Sequence, residues 1–244
     1  ASPQSVLFEF VFPRSAAAPV GTAIRMKRGR LILFLKAPRL GAVKTRLGAS
    51  IGSLAAWRFY NAMLTRLWRR FAQEQRWRTV LAVSPDQGAA RWPPGLARQA
   101  QGRGELGRRM ARAMMAGNGP VVLVGGDIPD LSARHIAQAM QALKHADAVF
   151  GPADDGGFWL VGLRRGQWAA RLFHGVRWSS PQTLTDPLAN LPATARVVQL
   201  ETLSDVDTRD DYRAYLRRPS SHAPAGGASS RRNYRAGSGY PADP

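Results

Sequence analysis

An α/β fold, a three-layer sandwich on a mainly parallel, Rossmann-like sheet, is the class this sequence predicts. Short, continuously apolar runs recur, as in "LILFL" at 31–35 and "VVLVG" at 121–125, and strands buried on both faces read this way. Amphipathic segments of helical period separate the runs. Runs and segments alternate as far as residue 217, the pattern of parallel strands joined by helical crossovers.

The elements follow in order. Residues 1–25 are expected to be an N-terminal extension that the fold does not need. Their "VLFEFVF" is short, carries Glu9 and lacks a preceding basic stretch, so it makes a poor signal peptide despite the "SAAAP" that follows. Met26 with "KRGRLILFLKA" looks like a natural start. The first strand, 31–37, is apolar until Lys36. A helix over 53–75 places Leu54, Trp57, Met63, Leu64, Leu67, Trp68 and Phe71 mostly at helical spacing. "WRTVLAVS" (77–84) is a strand closed by Pro85 and Asp86, residues 107–116 are helical, and "PVVLVGGD" (120–127) is the clearest strand. Ser132 caps a helix with Ile136, Met140 and Leu143 on one face. Strands at 146–152 and 156–163, a short helix in 181–191, a last strand leading from 195 into a loop, and a closing helix at 209–218 complete a single domain over 26–218. Residues 219–244, rich in Pro, Gly, Ser and Ala, read as a disordered tail.

Composition narrows the partners. A hydrophobic fraction of 45% with 21% charged residues describes a globular chain. With no cysteine there is no disulfide framework and no thiolate chemistry, which fits a reducing, cytoplasmic compartment. No run approaches the length of a membrane span. The net charge of +19 is scattered over helices and loops and is not punctuated by aromatics as in a stacking platform. A basic surface that attracts anionic small molecules is therefore expected, with nucleic acid as the alternative partner.

Three glycine-bearing loops carry the chemistry. "FLKAPRLGAVKTRL" (34–47) is not a phosphate-binding Walker loop, because Pro38 and Val43 stand where that motif needs glycine. What remains is a cationic loop at the carboxyl end of the first strand, where open α/β sheets bind ligands. Lys36, Lys44 and Arg46 there suit a diphosphate. "QGRGELGRRM" (101–110) spells G-x-G-x-x-G, with Asp127 about twenty residues on. The preceding "LARQAQ" is too polar for the central strand of a dinucleotide-binding fold. Its glycines could instead let backbone amides approach a nucleotide, or only cap a helix. "VVLVGGDIPDL" (121–131) ends a buried strand in a carboxylate, which suits a divalent cation or a simple turn cap.

Six blocks stand in sequence: 34–47, 101–110, 121–131, "AVFGPADDGGFWLVGL" (148–163), "FHGVRWSS" (173–180) and "DVDTRDDY" (205–212). Together they resemble the nucleotide-diphospho-sugar transferase superfamily of GT-A fold. The resemblance is greatest to a bacterial family of arsenosugar-biosynthesis-type or uncharacterised glycosyltransferases, with the guanylyltransferases for molybdenum cofactor and phospholactate as cousins. Glu105 replaces the aspartate usual in the second block, and Gly126 stands where serine is frequent. The resemblance implies that Asp127 and Asp207, with Asp205 beside them, hold Mg²⁺ or Mn²⁺. It implies that Lys36, Lys44 and Arg46 meet phosphates, and that Gln101, Gly104 and Gly107 belong to the nucleotide side. Asp154 and Asp155 are then candidates for sugar binding or for the base, Gly156 and Gly157 permit close approach of sugar or acceptor, and Phe158 and Trp159 form a wall with one ring facing the core. No histidine has zinc-ligand spacing.

The expected reaction is metal-assisted glycosyl transfer from a nucleoside-diphosphate sugar to a small-molecule acceptor, with Asp155 as base if configuration inverts. Nucleotidyl transfer that releases pyrophosphate is the alternative on the same fold. A non-catalytic nucleic-acid-binding protein is the alternative from another class.

Overall fold

Residues 28–86 and 92–218 are described in the structure, a computed structural model; the expectations for 1–25 and 219–244 lie outside the described residues. Strand β1 (Arg30–Lys36) is buried through Leu35 apart from a half-buried Phe34, and only Lys36 emerges into solvent. Helix α1 (Thr45–Ile51) and the long α2 (Ser53–Ala72) lead to β2 (Arg78–Ser84), then the short β3 (Ala97–Ala100), α3 (Leu106–Met115) and β4 (Val121–Gly125). The second half holds α4 (Ala133–Ala142), β5 (Ala148–Pro152), β6 (Phe158–Leu163), a 3₁₀ turn at Gly166–Trp168, α5 (Ala169–Leu172), α6 (Thr185–Ala189), β7 (Val197–Gln199) and α7 (Arg209–Arg217). One sheet of seven strands in the order β3-β2-β1-β4-β6-β5-β7 results, with β6 alone antiparallel to its neighbours. The α/β class and the mainly parallel sheet expected from the sequence are both found.

Because side chains alternate along a strand, β1 feeds two cores. Leu31, Leu33 and Leu35 pack with Tyr60, Leu64, Leu67 and Phe71 of α2 and Ile136 and Ala139 of α4. Ile32 faces the other way, onto Met110 and Met114 of α3 and Phe150 and Val161 of the sheet. A third cluster joins α1, α2 and α7: Leu47, Phe59, Met63 and Val206 are buried together, with Tyr212 and Tyr215 edge-on to Phe59. That cluster brings the acidic 205–207 loop, at the far end of the chain, against the first loop.

Strand register does the rest. Phe34 pairs with Gly125, so Lys36 and Asp127 each lie two residues past the same rung. The chain leaves β1 toward β2 and β3, then returns to add β4 on β1's other side. The gap between the carboxyl ends of β1 and β4 is therefore the topological switch point, where such sheets bind ligands.

Two segments differ from expectation. Thr45–Ile51, read as loop, is helical; Leu47 is its one buried residue, too little for a periodic signal. Ala97–Ala100, judged too polar for a central strand, is a strand at the sheet's edge, where its alternating half-buried and exposed residues are in place.

Candidate active site

The switch-point gap opens into a cleft of about 730 Å³. Its charged lining includes Lys36, Lys44, Arg46, Asp127, Asp205 and Asp207; Phe34, Leu106, Met110, Phe158 and Trp178 supply apolar wall, with Asp155 and Gly157 also lining it. Of the residues singled out in the sequence, three carboxylates and three cations thus converge although up to 171 positions separate them (36 to 207).

Lys44 is the hub. Its Nζ lies 3.1 Å from Asp127 Oδ2, 3.6 Å from Asp207 Oδ1 and 3.9 Å from Asp205 Oδ2. The lysine side chain is only 5% exposed, whereas the three carboxylates keep open flanks. Its backbone is left-handed, with φ 46° and ψ 47°, at the residue that precedes α1. Burial alone would pull the Lys44 ammonium down, but attraction to Asp127, Asp205 and Asp207 outweighs it and the pKa is raised. Lys44, expected from the sequence to meet phosphate, has its ammonium against Asp127 and the 205–207 loop. Arg46 bonds Asp207 at 3.3 Å while staying largely exposed. Lys36 is exposed and has no ion pair among the described residues.

Burial pushes the Asp205 carboxyl up to about 6; Lys44 opposes this, and the neighbouring charges of Asp127, Asp207 and Asp155 add to it. Tyr60 forms the floor, donating to the Lys36 carbonyl at 3.1 Å, and burial next to Asp127 raises its phenol well above the usual range.

Several assigned positions are structural. Gln101 is 1% exposed. Its amide Nε2 donates to the carbonyls of Leu35 (3.0 Å) and Ala82 (2.9 Å), and its Oε1 accepts from Arg109 Nη1 at 2.9 Å. Although it borders the cleft, both side-chain N–H groups of Gln101 are taken by these carbonyls. Gly104 and Gly107 are not on the cleft wall. Gly107 is a packing residue, since an added Cβ would lie 2.9 Å from Trp178 and 3.0 Å from Phe173. Gly156, with φ 82°, backs onto Pro181. Asp154 turns away from the cleft and accepts a hydrogen bond from the Ser204 hydroxyl. Asp155 stays on the wall, with Oδ1 accepting from the Gly157 amide at 2.9 Å. Of the two aromatic neighbours, Trp159 is the buried one and donates to the Glu201 carbonyl.

Sequence reasoning missed Arg109, whose guanidinium is fixed by Gln101 and lies 5.9 Å over Phe34, and the 3.1 Å bond from Trp178 Nε1, on the cleft wall, to Glu105 Oε2. Glu105 also caps α3 through the Arg108 amide. Arg109 falls three residues after Leu106 on the face of α3 turned to the cleft, a spacing that could have marked it.

Sheet order, switch-point cleft and acidic loop define a nucleotide-diphospho-sugar transferase architecture of the GT-A type. A solved protein of Desulfovibrio desulfuricans G20, provisionally described as a nucleotide-diphospho-sugar transferase, is 31% identical over 79% of this chain and 87% of its own, with a TM-score of 0.73. The sequence profile of an uncharacterized family conserved in bacteria, DUF2064, matches residues 67–180. The chain belongs to the DUF2064 family and is an enzyme of the transferase class. Two solved proteins share the fold alone. The homolog of Mycobacterium tuberculosis Rv0371c from Mycobacterium sp. strain JC1 is 17% identical, with 78% and 95% of the two chains covered and a TM-score of 0.50. The 4-diphosphocytidyl-2C-methyl-D-erythritol synthase of Anaerococcus prevotii DSM 20548 is 11% identical, with 78% and 97% covered and a TM-score of 0.51. No curated protein matches the chain. No helix among the described residues is long and apolar enough to cross a membrane.

Proposed function

We propose that this enzyme transfers a glycosyl group from a nucleoside-diphosphate sugar to a hydroxyl of a small acceptor. The observation that carries the reading is the convergence of Asp127, Asp205 and Asp207 with Lys36, Lys44 and Arg46 on one cleft. Cations face an anionic leaving group there, beside carboxylates that suit a divalent ion.

Among the described residues no three carboxylate or histidine side chains are arranged so as to enclose a metal ion by themselves. The donor set nonetheless fits Mg²⁺ or Mn²⁺ shared with a substrate. It is all hard oxygen, and such ions are usually held by one or two carboxylates with phosphates and water completing the shell. Three carboxylates against the two cations that pair with them leave one negative charge uncompensated. Asp127 and Asp207 would hold the ion, with Asp205 adjacent, and its charge would stabilise the departing diphosphate.

The chain's own groups do the remaining work. Lys36, exposed at the end of β1, and exposed Arg46 bind phosphate oxygens and stabilise the charge that grows on the leaving group. Phe34, Leu106, Phe158 and Trp178 form an apolar wall that takes the flat part of the ligand and excludes water. Asp155, held by the Gly157 amide, accepts the acceptor's proton as the new C–O bond forms and the sugar's bond to the diphosphate oxygen breaks.

Nucleotidyl transfer would use the same cations and carboxylates but release pyrophosphate. Incubation of the full chain with Mg²⁺ or Mn²⁺ and a panel of nucleotide sugars and nucleoside triphosphates tests the proposal. Nucleoside diphosphate should appear and be lost in Asp127→Asn and Asp207→Asn; pyrophosphate instead would replace glycosyl by nucleotidyl transfer. Neither product from any donor, with a salt-sensitive nucleic-acid complex that survives both substitutions, would support the binding-protein alternative.

A further inference from the structure

Lys44 differs from the other cations of the cleft in three ways. It adopts a left-handed backbone at φ 46°, a conformation uncommon for any residue with a β-carbon. Its side chain is 95% removed from solvent, against 78% exposure for that of Arg46. Its single ammonium lies within 4 Å of three carboxylates drawn from two loops that are 78 residues apart in sequence (127 to 205). Lysine is a compact charge on a flexible four-carbon stem, so such an ammonium can change partners by rotation about its side-chain bonds.

We propose that the Lys44 ammonium is the resident counter-ion of the Asp127–Asp205–Asp207 trio, and that a divalent ion is admitted as phosphate oxygens draw that ammonium away. The inference rests on the reading of this cleft as a metal and phosphate site and adds the order of events within it. A divalent ion on Asp127 and Asp207 would be repelled by an ammonium that bonds those same carboxylates from within 4 Å. Without another anion, Lys44 has nowhere equivalent to go, because the remaining carboxylate it touches, Asp205, belongs to the same trio. Phosphate oxygens arriving at Lys36 and Arg46 provide the alternative partner. Ion and phosphate then assist each other's binding, and by linkage each does so by the same factor. The cleft holds a divalent ion firmly only when a substrate is present.

The test is a Mn²⁺ titration of the full chain, free ion being read by electron paramagnetic resonance with no nucleotide added. Lys44→Met removes the charge and keeps the stem, and should bind Mn²⁺ at least about tenfold more tightly than wild type. Lys44→Arg, which retains the charge, should remain as weak as wild type. Lys44→Gly, suited to the positive φ, serves the same comparison if the Met variant does not fold. Equal Mn²⁺ affinity in wild type and the neutral variants overturns the counter-ion role and leaves the metal reading standing. Absence of bound Mn²⁺ in every protein, even after a nucleoside diphosphate is added, overturns both.

Discussion

Replacing Gln101 by Leu separates a structural role from a ligand-binding one. The side chain is sealed in the molecule, and its amide joins two strands to a helix: Leu35 of β1, Ala82 of β2 and Arg109 of α3. Leucine fills much the same volume but makes none of the three bonds. The two carbonyl bonds contribute about 1 kcal/mol each, and the one from a guanidinium about 1.5–3 kcal/mol. Added apolar contact offsets part of the sum, so a loss of about 3 kcal/mol is expected. For a domain of this size that lowers Tm by about 6–12 °C. Urea unfolding followed by tryptophan fluorescence should show a lower midpoint with an unchanged m-value. If Gln101→Leu left stability within about 1 kcal/mol of wild type while abolishing nucleotide binding, the structural assignment would be refuted and Gln101 would be a ligand contact.

Asp205 predicts a pH dependence. Its folded pKa of about 6 lies above the ordinary 3.8, so between these values the folded chain keeps a proton that the unfolded chain has released. Stability contributed by that proton is present at low pH and is lost as pH rises through 6, while Mn²⁺ affinity climbs over the same window; titrations from pH 5 to 7.5 should show the climb, and Asp205→Asn should flatten it. Gly107→Ala should cost about 1–3 kcal/mol by overpacking against Trp178 and Phe173, seen as a lower urea midpoint. Asp155→Asn should reduce kcat by about 10²–10⁴-fold with donor KM little changed. Asp154→Asn, which keeps a hydrogen-bond partner for Ser204, should leave kcat within about threefold of wild type.

The sheet was legible in the sequence because its strands are apolar on both faces: the segments at β1, β2, β4 and β6 have no other low-energy environment. Strand β3 was harder to read, since an edge strand keeps polar side chains and its four residues leave little period to detect. Asp127 could be placed at the ligand edge because it follows a buried strand directly. The contact between the 205–207 loop and Lys44 could not be read locally, as it depends on α7 docking onto α2 through Phe59, Tyr212 and Tyr215. Glycine motifs misled for a related reason. A glycine needed for close packing, as at 107 beneath Trp178, is written with the same letter as one that admits a phosphate.

The two lysines of the first loop illustrate how one residue type takes two fates within nine positions. Lys36 is the last residue of β1, two past the rung shared with Gly125, and its place on the strand turns it outward to solvent. Lys44 precedes α1, and the left-handed turn there directs its stem inward under the acidic loop. Arginine would keep the charge there, but its fixed planar fork presents five donors where lysine presents one compact ammonium on a flexible stem. In a chain otherwise dominated by arginine, this loop holds two of the four lysines, one exposed at a strand end and one buried against carboxylates.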